Sequence, residues 1–498
     1  MAAQPTAAPS LGGRAALAVL LLVGFYLLAL GIAAGLLYIP YAEVMYTQRI
    51  TARLDLFCIV GAAIIVWNIL PRLDRFRAPG PRLTAAAHPR LFRTLEEVAA
   101  ATGQAMPAEV YALPELNAWV AQRGGVLGIG SRRVMGLGLP LMQVLSVDEF
   151  RAVLAHEFGH YHGGDTALGP WIYRTRAAIE RTLIGMSRHS AVTMKPFEWY
   201  LKMYVRVTHA ISRRQEFVAD MLAARVAGAQ NVASGLRAVH AVGAAFEPFW
   251  FSEVVPALQR GYRPPLADGF RRFLAAPSVA TAVDEGLERE LKEGKADPYD
   301  THPPLRERIA ALRGLTPTAP SGTSGPALTL LGDLAAVEDA LLRSVLANVP
   351  DAPKVLRPIP WERMLEEVWM PGWRAALAED AERLRGLTPA RLPEFAGNPA
   401  ELAAYMKLHP KDQQQERALT LAGCALALAL HRCGLPAETE PGHPIRFRAD
   451  TVSIRPFAVL AELGDGTLTA EAWTRTVESL GIAALDLSTV AEPVSIPA

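Results

Sequence analysis

Residues 156–160 read His-Glu-Phe-Gly-His, and this pentapeptide is the strongest chemical signal in the chain. On a helix, residues four positions apart lie on one face, so His156 and His160 could bind one metal ion together. Glu157 would lie beside a water molecule on that ion and could act as a general base. The spacing therefore predicts a hydrolytic zinc site. The alternative is a pair of histidines hydrogen-bonded inside an ordinary core.

The residues around this motif predict the helix that it needs. Ser146 and Glu149 have the spacing of a capping box, which satisfies two backbone N–H groups at a helix start. Gly163-Gly164 supplies a stop signal. Apolar residues recur between these ends at helical spacing: Val147, Phe150, Val153, Leu154 and Phe158. We therefore expect a helix of about four turns that carries both histidines.

A catalytic zinc ion has three protein ligands and one water, so a third ligand should lie elsewhere in the chain. Glu216 and Asp220 are the best candidates, because their spacing places both carboxylates on one face of a second helix. One could bind the metal while the other accepts the free ring N–H of a ligating histidine. The alternative is a solvated acidic face that pairs with Arg213 and Arg214.

Several segments together resemble a known family. HEFGH (156–160) followed by Asp165, SRRQEFVAD (212–220) and THPPLRERI (301–309) stand in the order typical of the membrane-associated gluzincin metallopeptidases. That family includes the bacterial heat-shock protease HtpX and the CaaX prenyl endopeptidase. The resemblance covers roughly residues 15–313.

For the metal site, the resemblance implies a role for each matching residue. The implied zinc ligands are His156, His160 and Glu216. Glu157 is the implied general base. Asp220 and Asp165 are implied to lie just outside the ligands, where Asp220 would orient a ligating histidine.

The resemblance also implies groups that contact the substrate. His302, and with it Arg308, would stabilise the oxyanion, whereas Asn117 and Ala118 would lie on a strand edge that holds an extended peptide. From the residues alone these roles stay open. Asparagine is common in turns, and a histidine before a proline is usually structural. Short β-rich runs at 110–111 and 119–120 are consistent with a strand pair near the site.

The expected reaction is hydrolysis of a peptide bond. Bound Zn²⁺ lowers the pKa of a water molecule to about 7. Glu157 would take a proton from the attacking water and return it to the leaving amine. The oxyanion would be stabilised by zinc and by a donor such as His302. The three cysteines, at 58, 424 and 433, show no pairing with histidine that would indicate a thiol protease.

The N-terminal composition predicts a membrane anchor. Residues Ala15–Ile39 carry no charge, and Leu56–Leu70 forms a second, shorter apolar run. The first run is long enough to cross a bilayer. A signal peptide is the alternative, but the run is too long for its apolar region and a second apolar segment follows closely. We expect a transmembrane helical hairpin in contact with the lipid bilayer.

The arginines predict the orientation of this hairpin. Arg14 precedes the first run, Arg49 and Arg53 lie between the runs, and four arginines follow the second, at 72, 75, 77 and 82. Because cytoplasmic flanks carry the excess of basic residues, the catalytic domain should be cytoplasmic. The net charge of +1 gives no indication of nucleic-acid binding, and three scattered cysteines fit a reducing compartment.

We expect a mainly α (α+β) fold in four parts: a hairpin (1–83), a helical gluzincin-type catalytic domain with a small β-sheet (84–313), a linker (314–326) and a mostly helical C-terminal domain (327–498). Between the two metal helices, Trp171–Ser187 and Phe197–Ile211 look helical. Charged residues interrupt both runs, which favours amphipathic helices over membrane spans. The apolar run Ala418–Leu430 is more typical of a buried helix than of a span.

These observations predict a membrane-anchored zinc metalloendopeptidase with one zinc ion per chain and polypeptide substrates. The resemblance suggests quality control of membrane proteins. One alternative is a processing protease dedicated to lipidated or prenylated partners. A non-enzymatic alternative is a membrane scaffold stabilised by zinc, although a structural zinc ion usually has four protein ligands and the sequence offers three.

Overall fold

The structure is a computed structural model, and it describes residues 11–48, 50–70, 76–123, 132–160, 179, 191–294, 303–313, 315, 325–347, 349–408, 414–449 and 452–491. Two apolar helices come first. α1 (Leu11–Ala42) continues into a π-helical turn (Glu43–Thr47), and α2 (Ala52–Ile69) packs against α1. By length and composition, both helices could cross a membrane.

A four-stranded sheet precedes the helix that carries the His156–His160 motif. Its strands are β1 (Arg82–Leu83), β2 (Glu109–Leu113), β3 (Ala118–Arg123) and β4 (Arg132–Gly138). Their spatial order is β1-β2-β4-β3. The predicted pairing of β2 with β3 was wrong, because β4 lies between them, parallel to β2 and antiparallel to β3. The two glycines of β4 weaken its β propensity, and strand pairing is not a local property.

Helices build most of the remaining chain. In order they are α3 (Pro89–Thr102), α4 (Leu139–Val144), α5 (Val147–Gly159), α6 (Ala191–Ala227), α7 (Ala229–Phe249), α8 (Val255–Gln259), α9 (Leu266–Ala275), α10 (Pro277–Glu293), α11 (Leu305–Leu312), α12 (Leu334–Leu346), α13 (Met370–Asp380), α14 (Pro399–Tyr405), α15 (Gln414–Arg432), α16 (Val459–Gly464) and α17 (Ala470–Ser479). The prediction of a mainly helical chain with small sheets and two apolar N-terminal helices is confirmed.

Packing divides the chain into two compact units. The first unit comprises Met1–Ala241 and Glu285–Leu341, and the second comprises Val242–Asp284 and Leu342–Ala498. The predicted four-part division remains a prediction. Of the predicted linker at 314–326, residues 315, 325 and 326 are described, and Gly325 accepts a hydrogen bond from the backbone N–H of Val147 at the start of α5.

In the first unit, the long helix α6 connects the apolar helices to the metal motif. Its first half packs against α1, where the Tyr200 hydroxyl donates to the Leu21 carbonyl and Tyr204 is buried. The predicted helix Phe197–Ile211 lies within α6. The predicted helix Trp171–Ser187 lies outside the described residues, apart from Ile179. α6 also packs along α5, and this contact determines the geometry of the site.

The second unit has its own hydrophobic core. Its centre is α15, in which Ala418 and every residue from Leu421 to Leu430 are buried, as the apolar run predicted. Trp373, Phe447 and Trp473 pack into the same core. The unit also contains the short strands β5 (Tyr262–Arg263) and β6 (Arg357–Pro358), and a three-stranded sheet of β7 (Ala437–Glu438), β8 (Arg446–Ala449) and β9 (Val452–Ile454).

Candidate metal centre

The helix α5 presents both histidines of the motif at its C-terminal end. The predicted capping box is present: Ser146 Oγ accepts from the N–H of Glu149 at 3.3 Å, and a Glu149 carboxylate oxygen accepts from the N–H of Ser146 at 2.9 Å. His160 is the C-cap residue, and the two imidazole rings lie 4.8 Å apart between centroids. His156, Glu157 and His160 offer ligand atoms within 4.8 Å of one another.

A glycine within the motif allows α6 to approach α5 closely. A Cβ atom placed on Gly159 would lie 2.9 Å from the Cα of Ala219 and 3.1 Å from its Cβ. Real side chains essentially never make such contacts, so only glycine fits at this crossing. Because Ala219 lies between Glu216 and Asp220 on α6, the crossing brings both carboxylates to the histidines.

Glu216 completes a set of three donor groups. Its Oε2 lies 3.5 Å from His156 Nε2, and its Oε1 lies 3.7 Å from His160 Nε2. In a tetrahedral zinc site with bonds of about 2.0–2.1 Å, ligand atoms lie about 3.4 Å apart. The observed distances therefore fit a zinc ion held by two imidazoles and one carboxylate.

Asp220 contacts His156 of this set, and Arg308 contacts both Asp220 and Glu216. Asp220 Oδ1 lies 3.0 Å from His156 Nδ1, which leaves the Nε2 of that ring directed toward Glu216. Arg308, from α11, donates two hydrogen bonds to the Asp220 carboxylate, at 2.6 and 2.8 Å. Another of its guanidinium nitrogens lies 3.4 Å from Glu216 Oε2. Asp220 and Arg308 are both buried, so this ion pair is protected from solvent screening.

The electrostatics of the centre favour a bound cation. Burial opposes ionisation of Glu216, but its hydrogen bond to His156 and the nearby positive charges lower its pKa to about 2. Burial also opposes ionisation of Asp220, yet Arg308 and His156 lower its pKa as well. Burial would lower the pKa of His156, but Asp220 and Glu216 outweigh this effect and raise it to about 9. Surroundings that hold a proton this strongly would also stabilise a metal ion in its place.

Glu157 differs from the other carboxylates of the centre. Burial raises its pKa to about 7, with a further contribution from the negative charge of Glu216. His156, Arg308 and a hydrogen bond from the backbone N–H of Val120 oppose this shift. A carboxylate with a pKa near neutrality suits a general base that must first accept a proton and then release it.

The structure places the predicted substrate residues at the edge of the sheet. Within the described part of the chain, β3 pairs with β4 only. The Asn117 carbonyl accepts from the N–H of Gly138 and is therefore directed inward. In an antiparallel strand, the backbone N–H and C=O groups of successive residues point alternately to the two neighbouring strand positions. Since Asn117 points toward β4, the backbone groups of Ala118 and Val120 point to the outer edge of the sheet. His302 and Asp165, for which the sequence predicted roles at the site, lie outside the described residues.

A comparison with known protein families finds a match that covers the described residues of the candidate site. The sequence model of peptidase family M48 matches residues 85–316. The match supports assignment of this part of the chain to that metallopeptidase family. The matched range contains α5, α6 and α11 and the strands β2, β3 and β4, so it includes the described residues of the candidate metal centre.

Individual relatives agree with this assignment. The chain is 28% identical to the protein "Protease HtpX" of Xanthomonas oryzae pv. oryzae (strain MAFF 311018) over 250 residues, which is 46% of this chain and 73% of the relative. It is 26% identical to "Protease HtpX" of Pseudomonas putida (strain ATCC 700007 / DSM 6899 / JCM 31910 / BCRC 17059 / LMG 24140 / F1) over 243 residues, covering 45% and 70% of the two chains. No solved structure gave a significant match.

Two contributors to the site were missed in the sequence. Gly159 could have been found, because a glycine inside a predicted helix costs stability and usually has a packing reason. The backbone N–H of Val120 could not, because its contact with Glu157 depends on how the sheet meets α5. The resemblance gave Arg308 a role at the oxyanion, and that role remains a prediction. Its observed hydrogen bonds go to Asp220.

Proposed function

We propose that this chain is a membrane-anchored zinc metalloendopeptidase. The convergence of His156, His160 and Glu216, beside a Glu157 carboxyl with a raised pKa, carries the proposal. Two imidazoles and one carboxylate are a typical ligand set of catalytic zinc, which keeps its remaining position for water or substrate. When bound, zinc supplies Lewis-acid chemistry by lowering the pKa of water and polarising a carbonyl group.

The side chains of the site divide the remaining work. Glu157 accepts a proton from the attacking water and delivers it to the leaving amine. Asp220 accepts the Nδ1–H of His156 and so keeps the Nε2 lone pair available for the metal. Arg308 balances the charges of Asp220 and Glu216 and holds Asp220 in place. We assign Arg308 to positioning, with the oxyanion donor expected at His302.

The outer edge of β3 is the proposed binding site for the substrate backbone. An extended polypeptide could add to this edge through main-chain hydrogen bonds to Ala118 and to the carbonyl of Val120, whose N–H donates to Glu157. The bond between Val120 and Glu157 places this edge directly beside the general base. Main-chain pairing does not depend on side-chain identity, so we expect the enzyme to cleave many unfolded polypeptides.

The helices α1 and α2 are the proposed membrane anchor. Both could span a bilayer, and the arginines that follow α2 favour a cytoplasmic peptidase domain. An anchored enzyme that accepts unfolded polypeptides would suit quality control of membrane proteins. For the C-terminal domain predicted at 327–498 we propose no chemical role.

The proposal can be tested with the purified full chain in detergent. We expect cleavage of casein, loss of cleavage after chelation, and recovery when stoichiometric zinc is restored. Failure to cleave casein, together with cleavage of a lipidated or prenylated peptide, would favour the dedicated processing protease. A chain that binds zinc and cleaves neither would favour the scaffold.

A further inference from the structure

The turn between α1 and α2 brings two carboxyl groups together. Glu43 begins the π-helical turn after α1, and Asp55 lies in the first turn of α2. The two carboxyl groups interact directly. The hydroxyl of Thr51, the N-cap residue of α2, donates to one carboxylate oxygen of Glu43. Three oxygen-bearing side chains therefore face one another where the two helices meet.

The remaining oxygens of this group are buried without a hydrogen-bond partner. This holds for Oε2 of Glu43 and for Oδ1 of Asp55. Asp55 as a residue is only 9% exposed. A buried carboxylate oxygen without a partner costs free energy unless a cation or donor compensates it. Two neighbouring carboxyl groups at the helix junction thus each keep one buried oxygen without a hydrogen-bond partner.

No positive side chain in the described part of the chain compensates these charges. Neither carboxylate forms an ion pair with lysine or arginine there, and the nearby Arg53 is exposed. We propose that the turn binds a hard divalent cation such as Ca²⁺ through Glu43 and Asp55, with Thr51 beside them. Hard cations prefer oxygen ligands of this type and complete their coordination with water.

The affinity of such a site should be modest. With two carboxylates and several waters, we expect a dissociation constant of about 10⁻⁴–10⁻³ M, as in extracellular calcium modules. In the orientation that the arginines predict, the turn lies outside the cytoplasm, where divalent cations can reach it without entering the cell. The bound ion would tie the end of α1 to the start of α2 and so stabilise the hairpin.

Terbium luminescence tests this inference on the zinc-loaded full chain in detergent. Tyr46 lies three residues from Glu43 and can sensitise a Tb³⁺ ion in the turn. We expect saturable emission that Ca²⁺ displaces, and at least tenfold weaker binding in both Glu43→Gln and Asp55→Asn. Thr51→Val, which keeps both carboxylates, should weaken binding a fewfold. Glu285→Gln, at an exposed position of α10, is the matched control and should bind as the wild type does.

Three results would overturn the inference. The first is wild-type emission that Ca²⁺ does not displace, and the second is unchanged binding in Asp55→Asn. The third is a thermal stability that ignores Ca²⁺ but rises in Asp55→Asn, which would show that the carboxyl groups share a proton instead of a metal ion. The zinc content of each variant verifies that the peptidase domain is folded, independently of the turn.

Discussion

Buried carboxylates occur in both compact units, but their surroundings differ. In the first unit, Glu216 and Asp220 lie beside His156 and Arg308, and their pKa values are lowered. In the second unit, burial raises the pKa of Glu253 to about 6, and only the Gly442 N–H, which donates to it at 3.2 Å, opposes this shift. Burial therefore acts on all three carboxyl groups, whereas Glu216 and Asp220 also lie beside groups that favour their ionisation.

A further buried carboxylate, Asp380, shows what distinguishes a metal site from an ordinary ion pair. Asp380, in the second unit, accepts from Arg383 and Arg417, both at 2.7 Å. Two arginines thus more than balance one carboxylate. At the candidate metal centre, a single arginine faces Glu216 and Asp220, and the imidazole nitrogens face Glu216 at metal-ligand spacing. Excess negative charge next to converging ligand atoms is the feature that indicates a metal ion.

The largest expected effect is the loss of the general base. Glu157→Gln removes the proton acceptor, and we expect the rate of casein cleavage to fall by about 10²–10⁴-fold or more. The zinc content should stay near one ion per chain, because Glu157 is not a proposed ligand. Glu96→Gln, at an exposed position of α3, is the control and should retain full activity. Full activity in Glu157→Gln would remove the mechanism.

The second largest expected effect is a loss of stability when the arginine of the metal centre is removed. Arg308→Leu removes the arginine from the buried Asp220 carboxylate and leaves it only its contact with His156, which we expect to destabilise the first unit by about 3–5 kcal/mol. Arg306→Leu on the same helix is the matched control, because Arg306 is exposed. Urea unfolding of the zinc-free proteins provides the measurement. Equal stability of the two variants would show that Arg308 does not hold the centre together.

The helix crossing can be tested through its glycine. Gly159→Ala should force α5 and α6 apart, with a cost of about 1–3 kcal/mol and weaker zinc binding. Gly243→Ala on α7 is the control, since an added Cβ there meets nothing within 4 Å. Alanine should instead stabilise that helix by up to about 1 kcal/mol. Zinc titration and thermal unfolding of both variants compare the two positions. Unchanged zinc binding and stability in Gly159→Ala would contradict the close crossing of α5 and α6.

The smallest expected effect concerns Glu253 and depends on pH. Its folded pKa of about 6 is above the ordinary value of 4.5, so the folded state binds the proton more tightly. The resulting stabilisation is present below pH 4.5 and is lost as the pH rises through 6. Glu253→Gln, which is neutral throughout, should therefore be more stable than wild type by about 1–2 kcal/mol at pH 7.5 and similar at pH 4.5. Glu247→Gln, at an exposed position of α7, serves as the control, and unfolding at both pH values measures the difference. A gain that is equal at both would exclude a titrating Glu253.

The sequence predicted the features that depend on contacts between neighbouring residues better than those that depend on contacts between distant segments. The capping box at Ser146 and the buried helix around Ala418–Leu430 depend on neighbouring residues, and both predictions were confirmed. The grouping of Glu216 and Asp220 with the histidines followed from i, i+4 spacing combined with the family resemblance. Two other features depend on tertiary packing that no local pattern encodes. They are the position of β4 between β2 and β3 and the hydrogen bonds from Arg308 to Asp220.

The central claim is that α5 and α6 hold one metal ion between them. Zinc-edge X-ray absorption spectroscopy, combined with metal analysis of the purified full chain, tests it most directly. We predict one zinc ion per chain with two imidazole nitrogens at about 2.0–2.1 Å and oxygen ligands at about 2.0–2.2 Å, and loss of the ion in Glu216→Ala. A wild-type chain that retains no zinc, or a Glu216→Ala variant that retains it with an unchanged spectrum, would contradict this account.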